Sequence, residues 1–253
     1  MLIKTDGIVL QEHNTGDNDK YIVILTRDYG VINAYAKGAK KINSKLSSVT
    51  SLYTFSRFVL FKNRESYIID DGDIIEIFSP IRKDIIQLSL TAYFCECAKT
   101  VCSGEQSCDE QLRLLLNCLH FLSSDKLDII LLKSIFEFRM MVLGGYQPDL
   151  VCCRDCAAFS DDYMVFLIKS GAIECKTCFL KNNNNEEKYR YISRASLAAL
   201  RHIAFSNLNK LFSFNIDKKY IDEIKNLTEE YLIYHLEKRF KTLDFFHSIN
   251  DFS

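Results

Sequence analysis

The chain has 253 residues, of which 48% are hydrophobic and 12% aromatic, a composition that fills a globular core and excludes a disordered polymer. Its 32 basic and 33 acidic residues give a net charge of −1, which on its own argues against a nucleic-acid partner, although an average conceals the distribution. The start, MLIKTDGIVLQEHN, lacks the apolar core of a secretory leader, and no stretch approaches the roughly 18 apolar residues that span a bilayer, so the cytoplasm is the expected location.

The first 80 residues read as five strands, predicted over 2–10, 21–26, 31–37, 55–62 and 67–78. They are rich in Ile, Val, Tyr and Phe with partial alternation, and turn signals such as Asn14-Thr15-Gly16-Asp17, Asp28-Tyr29-Gly30 and Asp71-Gly72 bound them. Between the third and fourth, Ile42, Leu46, Val49 and Leu52 recur at helical intervals. Five strands with a helical insertion after the third suit a small OB-type barrel, with an SH3-like barrel as the competing architecture.

Charge is segregated here. From Tyr29 to Arg64 there are seven basic residues (Lys37, Lys40, Lys41, Lys45, Arg57, Lys62, Arg64) and no acid, after which Glu65, Asp70, Asp71, Asp73 and Glu76 follow. The lysines flank Gly38-Ala39 and interleave with Tyr29, Tyr35, Tyr53, Phe55 and Phe58. Cations of this kind neutralise phosphates while aromatics stack on bases. The same pattern fits core aromatics and lysines that only solubilise, and the residues alone leave both readings open.

After Pro80 the period becomes helical, over 81–101 and 110–122, and 127–143 is apolar on so many faces that it is expected to be a central helix stopped by Gly144-Gly145 and Pro148. Two Cys-x2-Cys pairs follow, Cys153/Cys156 and Cys175/Cys178, a spacing that lets four thiolates surround one ion. Zinc is the expected ion and its role structural, because four protein ligands leave no open position. Cys95, Cys97, Cys102 and Cys118 fall in apolar helical stretches and read as reduced core residues. Cys108, in a polar loop, and Cys152, beside the first pair, are spares. The polar run Lys181 to Lys188 reads as a surface loop, and helices resume after Ser193, a predicted N-cap, over 194–211 and 218–240.

The predicted class is therefore α+β: a five-stranded OB-type β-barrel over 1–80, then an α-helical domain over 81–253 carrying a four-cysteine zinc ribbon at about 148–190. No catalytic constellation emerges. The five histidines are scattered, no phosphate loop or nucleophile elbow is present, and the acidic pairs Asp70-Asp71 and Asp161-Asp162 read as solvated turns.

Three stretches in order carry a family pattern. GIVLQEHNTGDNDKYIVILTRDYGVINAYAKGAKKINSKL, FEFRMMVLGGYQPDLVCCRDC, and Tyr231-Leu232 through His235-Leu236 to Lys241-Thr242-Leu243-Asp244-Phe245, taken as the last helix, together resemble the bacterial recombination and repair family RecO over nearly the whole chain. The departures are Cys152, a lengthened Asn run, and Glu237 where a glycine is common.

The resemblance implies a non-enzymatic recombination mediator, nucleoid-associated, that binds single- and double-stranded DNA and anneals complementary strands. With RecR, and in some cases RecF, it would load RecA onto DNA coated with single-stranded-DNA-binding protein. On this reading Lys37, Lys40, Lys41 and Lys45 contact backbone phosphate, with Lys20, Arg57, Lys62 and Arg64 as further candidates. Lys133 or Arg139 on the helical domain would receive the acidic C-terminal tail of the single-strand-binding protein. The rivals are a zinc-stapled protein scaffold without DNA binding and a zinc hydrolase, which would need an open coordination position.

Overall fold

The computed structural model describes residues 1–63, 66–104, 106–182 and 187–250. Strands β1 (Leu2–Thr15), β2 (Asp19–Thr26), β3 (Gly30–Ala36), β4 (Thr54–Lys62) and β5 (Tyr67–Ile77) close into a barrel of order β1-β2-β3-β5-β4. A four-residue helix, α1 (Leu46–Val49), is inserted between β3 and β4 as the periodicity predicts, and the barrel is of the OB type. Neighbours pair antiparallel except β3 and β5, whose parallel seam consists of Ala34 opposite Tyr67 and Tyr35 opposite Ile68.

The β2–β3 hairpin turns at Gly30, as expected. Its φ is +63°, and an added Cβ would lie 2.3 Å from the Gly104 carbonyl oxygen, so both conformation and space demand glycine. Inward side chains, among them Ile22, Ile24, Ile32, Phe58, Leu60 and Ile69, fill the barrel. Shifts of register between Val9 and Gln11, Phe55 and Ser56, and Val59 and Leu60 bend the strands enough to close it.

A 3-10 turn (Ser79–Lys83) leads into α2 (Ile85–Val101), capped by the Asp84 carboxylate, which accepts from the N–H groups of Ile86 at 2.8 Å and Gln87 at 3.0 Å. Helix α3 (Asp109–Ser124) follows, then α4 (Ile129–Leu143), with Asp128 capping in the same way. Ribbon strands β6 (Tyr163–Leu167), β7 (Ala172–Cys175) and β8 (Tyr189–Ser193) form an antiparallel sheet of order β7-β6-β8, with α5 (Lys176–Asn182) between the last two. Helix α6 (Arg194–Phe205) starts at Ser193, whose hydroxyl accepts from Ser196 N–H as predicted. Helices α7 (Ile221–Leu236) and α8 (Lys241–Asn250) complete the chain as described.

Two expected helices are shorter than predicted. The one starting at Arg194 stops at Phe205 and is followed by a 3-10 turn at Leu208–Lys210. The stretch taken as a single last helix is two, because Glu237 adopts the left-handed conformation (φ 47°, ψ 36°) that ends a helix and that glycine ordinarily supplies. Cys108, expected in a polar loop, is fully buried next to the start of α3, while Cys95, Cys97, Cys102 and Cys118 are buried as predicted. Of the Asn run, Asn183 to Glu186 lie outside the described residues.

By packing, the chain forms two compact units: the described residues of Met1–Asp125 with those of Phe240–Ser253, and Lys126–Arg239. In the first, α2 and α3 lie against β1 and β2, and α8 returns to α2, where Thr242 donates to the Glu96 carboxylate at 2.7 Å. In the second, α4 is the centre, buried on every face from Leu131 to Met141.

That burial takes charges with it. Lys133, fully enclosed, contacts Glu137 one turn on at 2.7 Å and Glu229 of α7 at 2.6 Å, and the Thr228 hydroxyl donates to Glu137 at 2.8 Å. Burial pushes the Lys133 ammonium toward losing its proton, but the two carboxylates outweigh it and raise its pKa above the ordinary lysine value. A raised folded value means the contribution is complete below the unfolded lysine range near ~10.4 and is lost only as pH climbs through the higher folded value. Replacing Lys133 with Met should therefore cost about 3–5 kcal/mol at neutral pH in urea unfolding, since Glu137 is left as a buried carboxyl without its cationic partner. Lys133→Met with Glu137→Leu should recover most of that loss.

Candidate nucleic-acid interface and metal centre

Strand β3 ends at Ala36, and the next five residues, Lys37-Gly38-Ala39-Lys40-Lys41, make a tight turn at the barrel rim. Gly38 takes φ +69°, which a residue with a Cβ rarely adopts, and Ala39 is buried in the barrel core, pinning the middle of the turn. The turn is tied to the start of β2 by Gly38 N–H donating to Asp19 Oδ1 at 2.6 Å and Lys40 N–H donating to the Asn18 carbonyl at 2.8 Å. Asp19 also accepts a short hydrogen bond from the Tyr35 hydroxyl. That bond, the Gly38 N–H and the Lys37 and Lys41 charges hold the Asp19 carboxyl below its ordinary pKa. One carboxylate thus fixes both the turn and a neighbouring ring.

The side chains of Lys37, Lys40 and Lys41 are exposed and make no ion pair among the described residues. The other predicted cations differ. Lys45 bridges Asp71 at 3.1 Å and Asp73 at 3.0 Å, Arg57 pairs with Asp6 at 2.8 Å, and Lys20 with Glu12 at 3.2 Å. Lys62 lies over the Tyr67 ring, 5.5 Å from its centroid, and Arg64 lies outside the described residues. Acids of β5 thus neutralise Lys45 and an acid of β1 neutralises Arg57, which leaves the turn as the concentrated positive charge.

The aromatics interleaved with the lysines divide as well. Tyr53, Phe55 and Phe58 are buried and Tyr29 packs against the core, so of that set Tyr35 alone is placed beside the lysine turn. Asp19, the residue that positions the turn, was not singled out from the sequence. Its one signal was its place as an acid between the turn segment ending at Asn18 and the apolar run that starts at Tyr21.

The metal-ligating cysteines come together as predicted. Cys153 and Cys156 sit in the loop after α4, Cys175 ends β7 and Cys178 lies in the first turn of α5. Their sulfurs all lie within 4.8 Å of one another, and Cys156 and Cys175 Sγ are 3.6 Å apart. A tetrahedron with metal–sulfur bonds of ~2.3 Å has edges of about 3.8 Å, so the cluster fits one ion with all four thiolates as ligands. The first knuckle turns through Ala157, whose φ is +59° and whose N–H donates to the Cys153 carbonyl at 2.9 Å. Burial pushes the Cys153 thiol up, but backbone N–H groups of Cys156, Cys175 and Asp155 and the Cys156 side chain bring it down to about 7. Arg154 and Glu174, each adjacent to a ligand, pair at 2.5 Å and stitch the two knuckles together. Cys152 is not among the converging sulfurs.

The comparisons agree over nearly the whole chain. The family model for Recombination protein O N terminal matches residues 1–78, and that for Recombination protein O C terminal matches residues 82–244. The DNA repair protein RecO of Acetivibrio thermocellus is 34% identical over 248 residues, spanning 98% of this chain and 97% of its own. That of Caldicellulosiruptor bescii is 31% identical over 248 residues, spanning 98% and 99%. This chain belongs to the RecO family. Its role lies accordingly in DNA repair and recombination. The RecO N-terminal match covers all five barrel strands, and the C-terminal match covers the helices and all four metal-ligating cysteines. Among the described residues no helix is long and apolar enough to cross a membrane.

Lys133 and Arg139, expected from the RecO resemblance to meet a partner's tail, are placed inside the second unit. Lys133 is enclosed by its two glutamates, and Arg139 donates to the Ala204 carbonyl at 2.5 Å from a buried position. Neither presents its charge to solvent, because α4 is a central helix buried on every face from Leu131 to Met141.

Asp19 gives the interface a direct check. Asp19→Ala should accelerate hydrogen exchange at the Gly38 amide by at least tenfold, whereas Asp19→Asn, which keeps an acceptor, should change it far less. In the wild type, a depressed folded pKa means that this anchoring holds above the ordinary carboxylate range and fails only as pH falls through the lower folded value.

Proposed function

We propose that the chain is a non-enzymatic recombination mediator whose barrel binds single- and double-stranded DNA through backbone phosphates held by Lys37, Lys40 and Lys41. The observation that carries this reading is the contrast among the cations: these three are exposed on a fixed turn with no ion pair among the described residues, while Lys45, Arg57 and Lys20 are engaged by acids. A rigid turn with three ammonium groups neutralises phosphate without reading sequence, and charge that screens two backbones at once lowers their repulsion and permits annealing. On this reading the chain acts with RecR, and RecF where required, to load RecA onto DNA covered by single-stranded-DNA-binding protein. The acidic tail of that protein docks on the helical unit at residues other than the buried Lys133 and Arg139. The four-cysteine cluster holds zinc as a structural staple, supplying folding energy rather than chemistry, since four thiolates complete its coordination.

Fluorescence anisotropy with labelled DNA across a salt series tests the lysines. The triple change of Lys37, Lys40 and Lys41 to Glu should weaken binding strongly and reduce the slope of log affinity against log salt by about 2 to 3, at roughly 0.7–0.9 per phosphate. Lys45→Ala should change the slope much less. A protein scaffold without DNA binding would show no affinity in the wild type.

Zinc content and hydrogen exchange test the staple. Zinc binding to small ribbons is worth ~10–16 kcal/mol at neutral pH, so a strong chelator should release amide protection across β6–β8 while that of β1–β5 persists. Cys175→Ser should lose the metal, and Cys152→Ser should retain a full equivalent.

A further inference from the structure

The lysine turn does not account for a second feature of the barrel, which emerges only from strand register. Residues opposed across a ladder project to the same side. Following the pairs around the barrel links His13 to Tyr21, Tyr21 to Tyr35, Tyr35 to Ile68, Ile68 to Phe61, and Phe61 to Leu2. These six form one continuous row on the outside of the barrel. None is buried, and Tyr21, Phe61 and Leu2 are 37%, 44% and 51% exposed.

Elsewhere on the outer surface the same strands behave differently. Farther along β2, Val23 and Leu25 have the same facing as Tyr21 but are buried; on β4 and β5 the next outward positions are half-buried Val59 and exposed Arg57, Asp71 and Asp73, with Ile74, Ile75 and Ile77 exposed beyond them. The row is therefore an apolar and aromatic stripe bounded on β2 by covered residues and on β4 and β5 by charged ones, and separate from the exposed Ile74, Ile75 and Ile77 at the far end of β5. A closed barrel offers no free strand edge there, so a ligand must meet side chains rather than extend the sheet. Phe61 and Ile68 of the row line a depression of about 690 Å³ together with Lys37, Gly38 and Lys41. Asp19 holds the Tyr35 ring and the lysine turn with one carboxylate, so the apolar and cationic elements are fixed to each other.

We propose that this row is a stacking platform for the unpaired bases of a single strand, with Phe61 and Tyr35 as its rings and Lys37 and Lys41 holding the adjoining phosphates. The proposal rests on the reading of the lysine turn as a DNA site and adds what discriminates single strands from duplex. Charge complementarity selects the occupant, since cations contiguous with exposed ring faces suit a polyanion that carries flat apolar groups. At about 4.8 Å per strand, Phe61 and Tyr35, two strands apart, stand roughly 10 Å from one another, so each can take its own base. Duplex DNA keeps its bases stacked internally and can use only the lysines.

Anisotropy with labelled oligothymidylate and with duplex of the same length, on the full chain, tests this. Phe61→Ala should lower single-strand affinity roughly 5- to 150-fold, the range for one lost base–aromatic stack. It should leave the salt slope unchanged and duplex affinity within about twofold, while Phe61→Tyr should retain single-strand affinity. Phe61 is exposed, so circular dichroism and melting of the variants should match wild type. Equal loss on both DNAs, or no loss on the single strand, overturns the platform; the second is also what a row that serves an apolar peptide would give. If the lysine variant loses DNA and Phe61→Ala does not, the platform alone falls. If the lysine variant binds as well as wild type, the lysine turn falls.

Discussion

The candidate interface depends on how the barrel closes. Strands β3 and β5 meet through a parallel seam of two residue pairs, Ala34 with Tyr67 and Tyr35 with Ile68, whereas the other neighbours share long antiparallel ladders. Past that seam β3 leaves the sheet, and its backbone groups find partners elsewhere: Gly38 and Lys40 N–H turn to Asp19 and to the Asn18 carbonyl. Those bonds bend the chain into the turn that displays three lysines, and the departure opens the depression lined by Phe61 and Ile68. A longer seam would have sheathed the same residues in ladder hydrogen bonds and left no recess.

Much of the architecture was legible in the sequence because it depends on local period and punctuation. The five strands, the inserted helix, the hairpin at Gly30, the cap at Ser193 and the central helix all follow from patterns within a few residues. The cysteine spacing was equally direct, since two knuckles must converge if both bind one ion. What could not be read was facing. Tyr53, Phe55 and Phe58 resemble Tyr35 and Phe61 in composition, but Phe58 points into the barrel while Phe55, with the same facing on β4 as exposed Phe61, is buried by what packs over it. Pairing across strands also decided which lysines keep their charge exposed: Lys45 lies far in sequence from Asp71 and Asp73, yet contacts both.

The second unit shows the same limit in its core. An almost wholly apolar segment announced α4 as central, and that was correct, but Lys133 and Arg139 were expected at a surface that receives a partner's tail. Lys133, Glu137 and Arg139 are instead held inside, by one another, by Glu229 and Thr228, and, for an Arg139 terminal nitrogen, by the carbonyls at the end of α6. Such groups fix the pairing of α4 with α7 more narrowly than apolar contacts alone, because a shifted register would strand a charge. At the end of α7, Glu237 performs a glycine's task with a Cβ in place, and the break between α7 and α8 follows from it.

The return of α8 to α2 has a consequence for synthesis on the ribosome. The first unit is discontinuous, with all of Lys126–Arg239 translated between α3 and the residues that pack Phe240 edge-on against Tyr93 and Thr242 against Glu96. The barrel strands emerge early and can pair, but α2 must wait with an apolar face uncovered until α8 leaves the exit tunnel. The metal-bearing unit has by then been synthesised in full, so the first unit to begin folding is completed only after the second has left the ribosome.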